Sequence, residues 1–250
     1  MVLLLLFIVQ KHSDDKLEIA KHIINNSLAI IPAYNEEDSV GKVVQGVRSY
    51  GLDVAVVNDQ SADLTEAEAK SAGAVVLNLP VRLGAWGAIQ TGLRYAIRRG
   101  YKYALTIDAD GQHLPQSIPY LLAENIIDDY DVIIGSCPER VSRLRKIAWT
   151  WFRNISRAEF DDLTSGLRVY NRWSMRLMLD KRAYLFDYQD MGALLMMKKH
   201  GLKITEVPVE MSVRLKGHSR VFNNWLKVCK YMLVTSSLSA SKFRQKCRKR

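Results

Sequence analysis

Cysteine is scarce in this chain. Only Cys137, Cys229 and Cys247 occur among 250 residues, odd in number and far apart. No C-x-x-C pair or Cys/His metal spacing can be drawn from them, so a disulfide framework is excluded and a reducing, cytoplasmic setting is expected. Long apolar runs are also missing. No segment reaches the eighteen residues that a transmembrane helix requires. Val2–Val9 is apolar, but it is too short to span a bilayer and has neither a preceding charge nor a small-residue cleavage site. It reads as a buried strand or, by preference, as a membrane-grazing anchor or an ill-ordered end. The spaced G-x-G-x-x-G of a dinucleotide fold is absent too. Gly84-Ala-Trp-Gly-Ala88 has a different spacing and lacks the acidic residue expected about 20 positions later, which disfavours a nicotinamide dehydrogenase. Finally, acidic residues stop at Glu210. Met211–Arg250 holds eleven Lys or Arg and no Asp or Glu, so a formal charge of +10 leaves the first 210 residues near −1. The basic end points to an anionic membrane surface or a nucleic acid. It carries no known nucleic-acid motif, so the membrane surface is the partner expected and nucleic acid is not.

What is present is an apolar content of 48%, enough for a sizeable core, and a regular alternation of elements. Leu28–Pro32 reads as a short buried strand. A helix over Glu37–Tyr50 follows, with Val40, Val43, Val44 and Val47 on one face. Asp53–Asn58 is a second strand, Thr65–Ala72 a helix, Ala74–Leu79 a third strand and Gly84–Arg99 a long helix. Tyr101–Ile107 is a central strand, followed by a helix near Gln116–Glu124 and a strand at Asp131–Gly135. Strands separated by single helices predict an α/β fold with a parallel sheet and right-handed crossovers. Ligands in such sheets bind beyond the carboxyl ends of the strands, where the polar clusters of this sequence fall.

The central cluster is Asp108-Ala109-Asp110, stopped by Gly111. Two carboxylates at i, i+2 share a face in an extended segment. They repel each other unless a hard divalent cation lies between them. A bare D-x-D of this kind also occurs as a solvated acidic turn. Two further segments are basic and amphipathic. Arg143–Arg157 sets Leu144, Ile147, Ala148, Trp151, Phe152 and Ile155 at helical spacing beside five cations, and Val221–Leu238 sets Phe222, Trp225, Leu226, Cys229, Met232 and Leu233 on one stripe. Each is either a core face or a helix lying in the headgroup plane. The six cations of Lys242–Arg250 would each add about 1 kcal/mol near an anionic leaflet.

The motifs Ile31-Pro-Ala-Tyr-Asn-Glu-Glu37, Val57-Asn-Asp-Gln-Ser-Ala-Asp63, Gly84-Ala-Trp-Gly-Ala88 and Asp108-Ala-Asp110 stand in the order of family 2 glycosyltransferases. Asp162-Leu-Thr-Ser-Gly166, Glu206-Val-Pro208 and Arg214 with Gly217-His-Ser-Arg220 extend the match over Leu28–Arg220. The chain resembles in particular the dolichyl- or polyprenyl-phosphate mannose and glucose synthases. That resemblance implies a GT-A fold, a Rossmann-like and mostly parallel sheet flanked by helices. The corresponding division is an N-terminal apolar segment (1–27), a catalytic domain (28–220), and an amphipathic helix with a basic tail (221–250). It implies an inverting, metal-dependent transfer of sugar from a nucleotide-diphosphate sugar of the GDP-mannose or UDP-glucose type. The acceptor would be a polyprenyl phosphate or another lipid-linked or glycan acceptor, at the cytosolic face of a membrane.

In that reading Asp108 and Asp110 hold Mg²⁺ or Mn²⁺ against the diphosphate, with Gln112 as a further oxygen ligand. Pro32, Ala33, Tyr34, Glu36, Asn58 and Asp59 form the nucleotide pocket, and Gly84 and Gly87 let backbone approach it. Arg214 and Arg220 close over the phosphates as charge-assisted donors. Asp190 is either a base facing the acceptor or a helix N-terminal carboxylate. Ser165 and Arg168 are acceptor-side candidates, and His113 is a loop histidine behind the carboxylates. The sequence departs from the family at Asn58, where Asp is usual, and at Gln60, where Gly is usual. Gln60 implies that φ > 0 is either not required there or is tolerated under strain. Arg220 replaces the commoner Lys. A sugar-phosphate nucleotidyltransferase is the alternative enzyme reading, disfavoured because the first loop carries Tyr34-Asn-Glu-Glu. A non-catalytic, membrane-associated scaffold derived from a transferase is the other alternative, prompted by Asn58.

Overall fold

The computed structural model describes residues 21–137, 165–181, 183 and 191–212. Seven strands form one sheet: β1 (Ser27–Ala33), β2 (Asp53–Asn58), β3 (Val75–Asn78), β4 (Tyr103–Thr106), β5 (Val132–Ser136), β6 (Arg168–Asn171) and β7 (Ile204–Pro208). The helices that flank it among the described residues include α1 (Val40–Arg48), α2 (Thr65–Ser71), α3 (Gly84–Arg98), α4 (Ile118–Asp128), α5 (Arg172–Met178) and α6 (Met191–Lys199). The strand order is β3-β2-β1-β4-β6-β5-β7. β1 pairs in parallel with both β2 and β4, and β5 pairs in parallel with β7. β6 runs antiparallel to both of its neighbours.

The sheet is thus mixed and mostly parallel, as the resemblance implies, and β6, in the last third of the chain, is its antiparallel strand. A strand entered through a crossover on the same side must run parallel to its neighbour. β6 follows the 138–164 stretch, outside the described residues, and no strand–helix alternation there specifies its direction. Most other boundaries lie within three residues of expectation, and β2 matches it. α4 runs on past Glu124 to Asp128, and a short 3₁₀ turn at Pro115–Ser117 leads into it.

Period-2 alternation sorts the strand side chains onto two faces. Leu28 and Ile30 of β1, Ala55 and Val57 of β2, and Tyr170 of β6 face a core completed by Trp86, Ile89 and Leu93 of α3 and by α5 and α6. Ala29 and Ile31, Val54 and Val56, Leu105 and Val169 face the opposite core. There α1 presents Val40, Val43, Val44 and Val47, the stripe expected from their spacing, and α4 presents Ile118, Leu121 and Leu122. Ile23, ahead of β1, joins the same core.

α3 lies close on β1 because Gly92 has no side chain. A Cβ there would stand 3.2 Å from Ile30 Cγ1 and overlap Cγ2, in a fully buried contact. Gly92→Val should therefore lower stability by about 1–3 kcal/mol through overpacking. A urea melt would show a lower midpoint with an unchanged slope.

Candidate active site

β1 is paired on one side to β2 and on the other to β4, and the chain reaches them through crossovers on opposite faces. The crevice at such a switch point collects the loops leaving the carboxyl ends of those strands. Three loops meet here, after β1, β2 and β4, and the loop after β3 joins them.

The β1 and β2 loops are stitched together. The Asn35 amide N–H donates to Ser61 Oγ at 3.0 Å, and Ala62 N–H donates to Asn35 Oδ1 at 2.9 Å. Glu36 N–H donates to Thr65 Oγ1 at 2.8 Å, Glu37 N–H to Asp63 Oδ2 at 3.2 Å, and Leu64 N–H to Glu37 Oε2 at 2.9 Å. Glu36 is thereby placed by its backbone, with its carboxylate accepting from Ser39 Oγ at 3.3 Å. Asn35 and Gln60 adopt φ of 52° and 62°. Of the two readings of Gln60, the left-handed one holds: the position requires φ > 0 and Gln carries the strain. Desolvation pushes the Asp63 carboxyl up, but hydrogen bonds from the Thr65 hydroxyl and from the Thr65 and Glu37 amides outweigh it and hold it below the ordinary carboxylate range.

Asn58 and Asp59, expected in the nucleotide pocket, are both committed to the protein. Asn58 Nδ2 donates to Asn78 Oδ1 at 2.9 Å, and its Oδ1 accepts from Ser61 N–H at 3.0 Å. Asp59 is buried and receives the N–H groups of Leu83, at 2.7 Å, and Gly84, at 2.9 Å. A carboxylate at this place satisfies donors that α3 leaves open at its N-terminus. Gly84, with φ of 76°, gives the entry turn, and open space lies beside it. Gly87 is tight for another reason, since a Cβ there would stand 2.5 Å from Leu83 Cβ. Asp59 therefore fixes the segment that carries Arg82. The Arg82 guanidinium lies over the Tyr34 ring, 3.8 Å from its centroid, with Nε 4.0 Å from Asp59 Oδ2 and the side chain 55% exposed. Arg82 escaped the sequence reading. The available signal was a cation placed two residues before the Gly84 turn.

The loop after β4 carries the carboxylate pair. Asp108 is 43% exposed, with Oδ2 3.5 Å from His113 Nε2. Asp110 Oδ1 accepts from the Gln112 N–H at 3.0 Å, and Gly111 turns with φ of 71°. The outer side of this loop is tied to the chain beyond β7. Ser212 N–H donates to the Gln112 carbonyl at 2.8 Å, Ser212 Oγ donates to the Gly111 carbonyl at 2.8 Å, and His113 bridges to Met211. The described chain thus leaves the carboxylate loop two residues before Arg214. Arg214 and Arg220 lie outside the described residues, as do Asp190, the Arg143–Arg157 segment and the C-terminal helix and tail. Pro32 and Ala33 close β1 below Tyr34.

Ser165 and Arg168, expected on the acceptor side, are both buried, Arg168 to 0% exposure inside β6. Arg168 Nε donates to the Ser165 carbonyl at 3.0 Å, and Ser165 Oγ accepts from Leu167 N–H at 3.2 Å. The neighbouring Tyr170 hydroxyl is pushed up by full burial, with the Arg168 charge only partly offsetting it.

Among the described residues no group of three His, Cys, Asp or Glu side chains converges on one point. The donor set is two carboxylates with oxygen neighbours, which suits a hard cation that shares its coordination with substrate oxygens and does not suit zinc. No helix among the described residues is long and apolar enough to cross a membrane.

Residues 28–188 match the family model described as glycosyl transferase family 2. The undecaprenyl-phosphate mannosyltransferase of Micrococcus luteus is 31% identical over 217 residues, covering 78% of this chain and 86% of that protein. The UDP-N-acetylglucosamine–dolichyl-phosphate N-acetylglucosaminyltransferase of Methanococcus voltae is 27% identical, covering 72% and 83%. The fold is similar to that of Mycobacterium tuberculosis glucosyl-3-phosphoglycerate synthase, solved with Mn²⁺, UDP-glucose and phosphoglyceric acid. The TM-score is 0.68 at 18% identity, over 88% of this chain and 83% of that one.

Two outcomes test the geometry. Asp59→Ala orphans two amide donors at the start of α3 and should cost about 1–3 kcal/mol in thermal or urea unfolding. Because the folded Asp63 carboxyl is depressed, the stabilisation it provides is complete above its unfolded pKa and is lost as pH falls through the folded one. Protection of the Glu37 and Thr65 amides from hydrogen exchange should fall over that acid window in the parent, and Asp63→Asn should remove the pH dependence.

Proposed function

Since the chain belongs to glycosyl transferase family 2 and is a glycosyltransferase, we propose that it moves a hexosyl group, with inversion, from a nucleotide-diphosphate sugar to a polyprenyl-type lipid phosphate. The observation that carries this reading is the carboxylate loop after β4 standing at the β1 switch point, at the same end of the sheet as the Tyr34–Arg82 pair. The relatives' names differ in sugar and in carrier, and share a polyprenol-class lipid phosphate as acceptor.

The donor's base would lie at the Tyr34–Arg82 pair, where an aromatic face and a guanidinium plane offer stacking surfaces. Asp59 keeps that pair in place by holding the Arg82 segment. Asp108 and Asp110, with Gln112 beside them, would hold a divalent cation of the Mg²⁺ or Mn²⁺ kind. When bound, that ion neutralises charge on the diphosphate. In the transfer, an oxygen of the acceptor phosphate bonds to the anomeric carbon as the bond from that carbon to the diphosphate oxygen breaks. The nucleoside diphosphate leaves with the bonding pair. The acceptor oxygen is already anionic, so no proton must be removed, and alignment of the two reactants supplies much of the rate. Arg214 and Arg220 are assigned to the leaving phosphates, and Asp190 to a sugar-hydroxyl acceptor if one is used. The loop's attachment to Met211–Ser212 supports the first of these assignments. The basic C-terminal end is assigned to the anionic membrane surface where such an acceptor resides.

Calorimetric titration of GDP and UDP, each with and without Mn²⁺, into the full chain and Asp110→Ala tests this directly. One nucleotide should bind in a metal-dependent way and lose at least about tenfold in affinity in the variant. Sugar from the matching donor should then pass into an organic-extractable polyprenyl phosphate. Absence of binding by either nucleotide under every condition would sink the reading.

A further inference from the structure

The Ser165–Leu167 turn crosses the end of β4, held there by bonds from two neighbouring strands and braced by two bonds of its own. Thr106 Oγ1 donates to the Gly166 carbonyl at 2.8 Å, and Arg168 Nε donates to the Ser165 carbonyl at 3.0 Å. Leu167 N–H donates to Ser165 Oγ at 3.2 Å, and Gly135 N–H donates to the Leu167 carbonyl at 2.9 Å. A turn fixed this way, with the residues on it buried, cannot back away from what it touches. What it touches is Asp108. A Cβ placed on Gly166 would stand 2.5 Å from Asp108 Cγ and would overlap both carboxylate oxygens.

His113 meets the same carboxylate. The ring is 2% exposed, with Nε2 3.5 Å from Asp108 Oδ2. Its Nδ1 is buried and has no hydrogen-bond partner among the described residues. With nothing among them for Nδ1 to pair with, Nε2 is the ring nitrogen that approaches the carboxylate. The backbone of His113 is in turn held by its antiparallel bridge to Met211.

We propose that Gly166 and His113 are positioning residues for Asp108. The bare backbone of Gly166 sets how far the carboxylate can lie back, and His113 sets its rotation, so that both Asp108 and Asp110 present oxygens to one cation. This role rests on the reading of that pair as the divalent-cation site. It also gives Ser165 and Gly166 a place beside the carboxylate loop.

The test measures Mn²⁺ affinity from the electron paramagnetic resonance signal of free Mn²⁺ at saturating UDP or GDP. The full chain is compared with Gly166→Ala, His113→Gln, His113→Phe and Asp108→Asn, each with a melting curve. Gly166→Ala and His113→Phe should lose about 10- to 100-fold in Mn²⁺ affinity while melting close to the parent. His113→Gln, which keeps an N–H donor at similar reach, should recover most of that loss. Parent-like Mn²⁺ affinity in Gly166→Ala, or equal affinities in the Gln and Phe variants, would overturn the proposal. If Gly166→Ala fails to fold, the two His113 variants decide. If Asp108→Asn itself binds Mn²⁺ like the parent, the metal reading fails and takes this proposal with it. Loss in Asp108→Asn with none in the positioning variants rejects the positioning role alone.

Discussion

Everything at the crevice depends on β1 being paired on both sides by parallel strands that the chain reaches in opposite directions. That pairing sends the first loop upward between the loops of β2 and β4, so residues distant in sequence become neighbours. It rests on side chains buried on both faces of β1, with Leu28 and Ile30 under α3 and Ala29 and Ile31 under α1. A one-residue slip of β1 would exchange those two sets and lift the first loop out of register with the other two. The site is therefore a consequence of core packing, and its geometry is only as firm as the register below it.

Above that core, most polar residues of the motifs hold loops in place. Asn58, Asp59, Asp63 and Thr65 spend their hydrogen bonds on backbone and side chains of neighbouring loops. Loop backbone at the rim has no ladder partner, so its N–H groups need side-chain acceptors. Short acidic and amide side chains at strand ends supply them. This also accounts for Asn at 58, where the usual residue is Asp. With Ser61 N–H on one side and an Asn78 carbonyl oxygen on the other, the position uses both an acceptor and a donor, which an amide offers and an ionised carboxylate does not.

The carboxylate loop is the opposite case. Asp108 stays substantially exposed, and its surroundings constrain it without burying it. One side is bounded by Gly166 and His113, and the far end of the loop is joined to Met211–Ser212. The proposed role of gathering a cation and a diphosphate is compatible with such a mixture, since a buried pair of carboxylates would suffer desolvation and mutual repulsion before any ligand arrived.

The sequence by itself determined the alternation of elements, the valine stripe of α1, the strand Asp53–Asn58 and the position of Asp108 and Asp110 at a strand's end. Each of these is a local pattern, either a period of 2 or 3.6 or a strand followed by a turn residue. Only the tertiary structure decided the antiparallel course of β6, the stacking of Arg82 on Tyr34, the use of Asp59 as an anchor for α3 and the approach of Gly166 to Asp108. These contacts join residues 48, 25 and 58 positions apart, as 34 to 82, 59 to 84 and 108 to 166, and no periodicity within one element encodes a meeting between two. Which loops face each other is set by strand order, and strand order is set by how both faces of the sheet are covered.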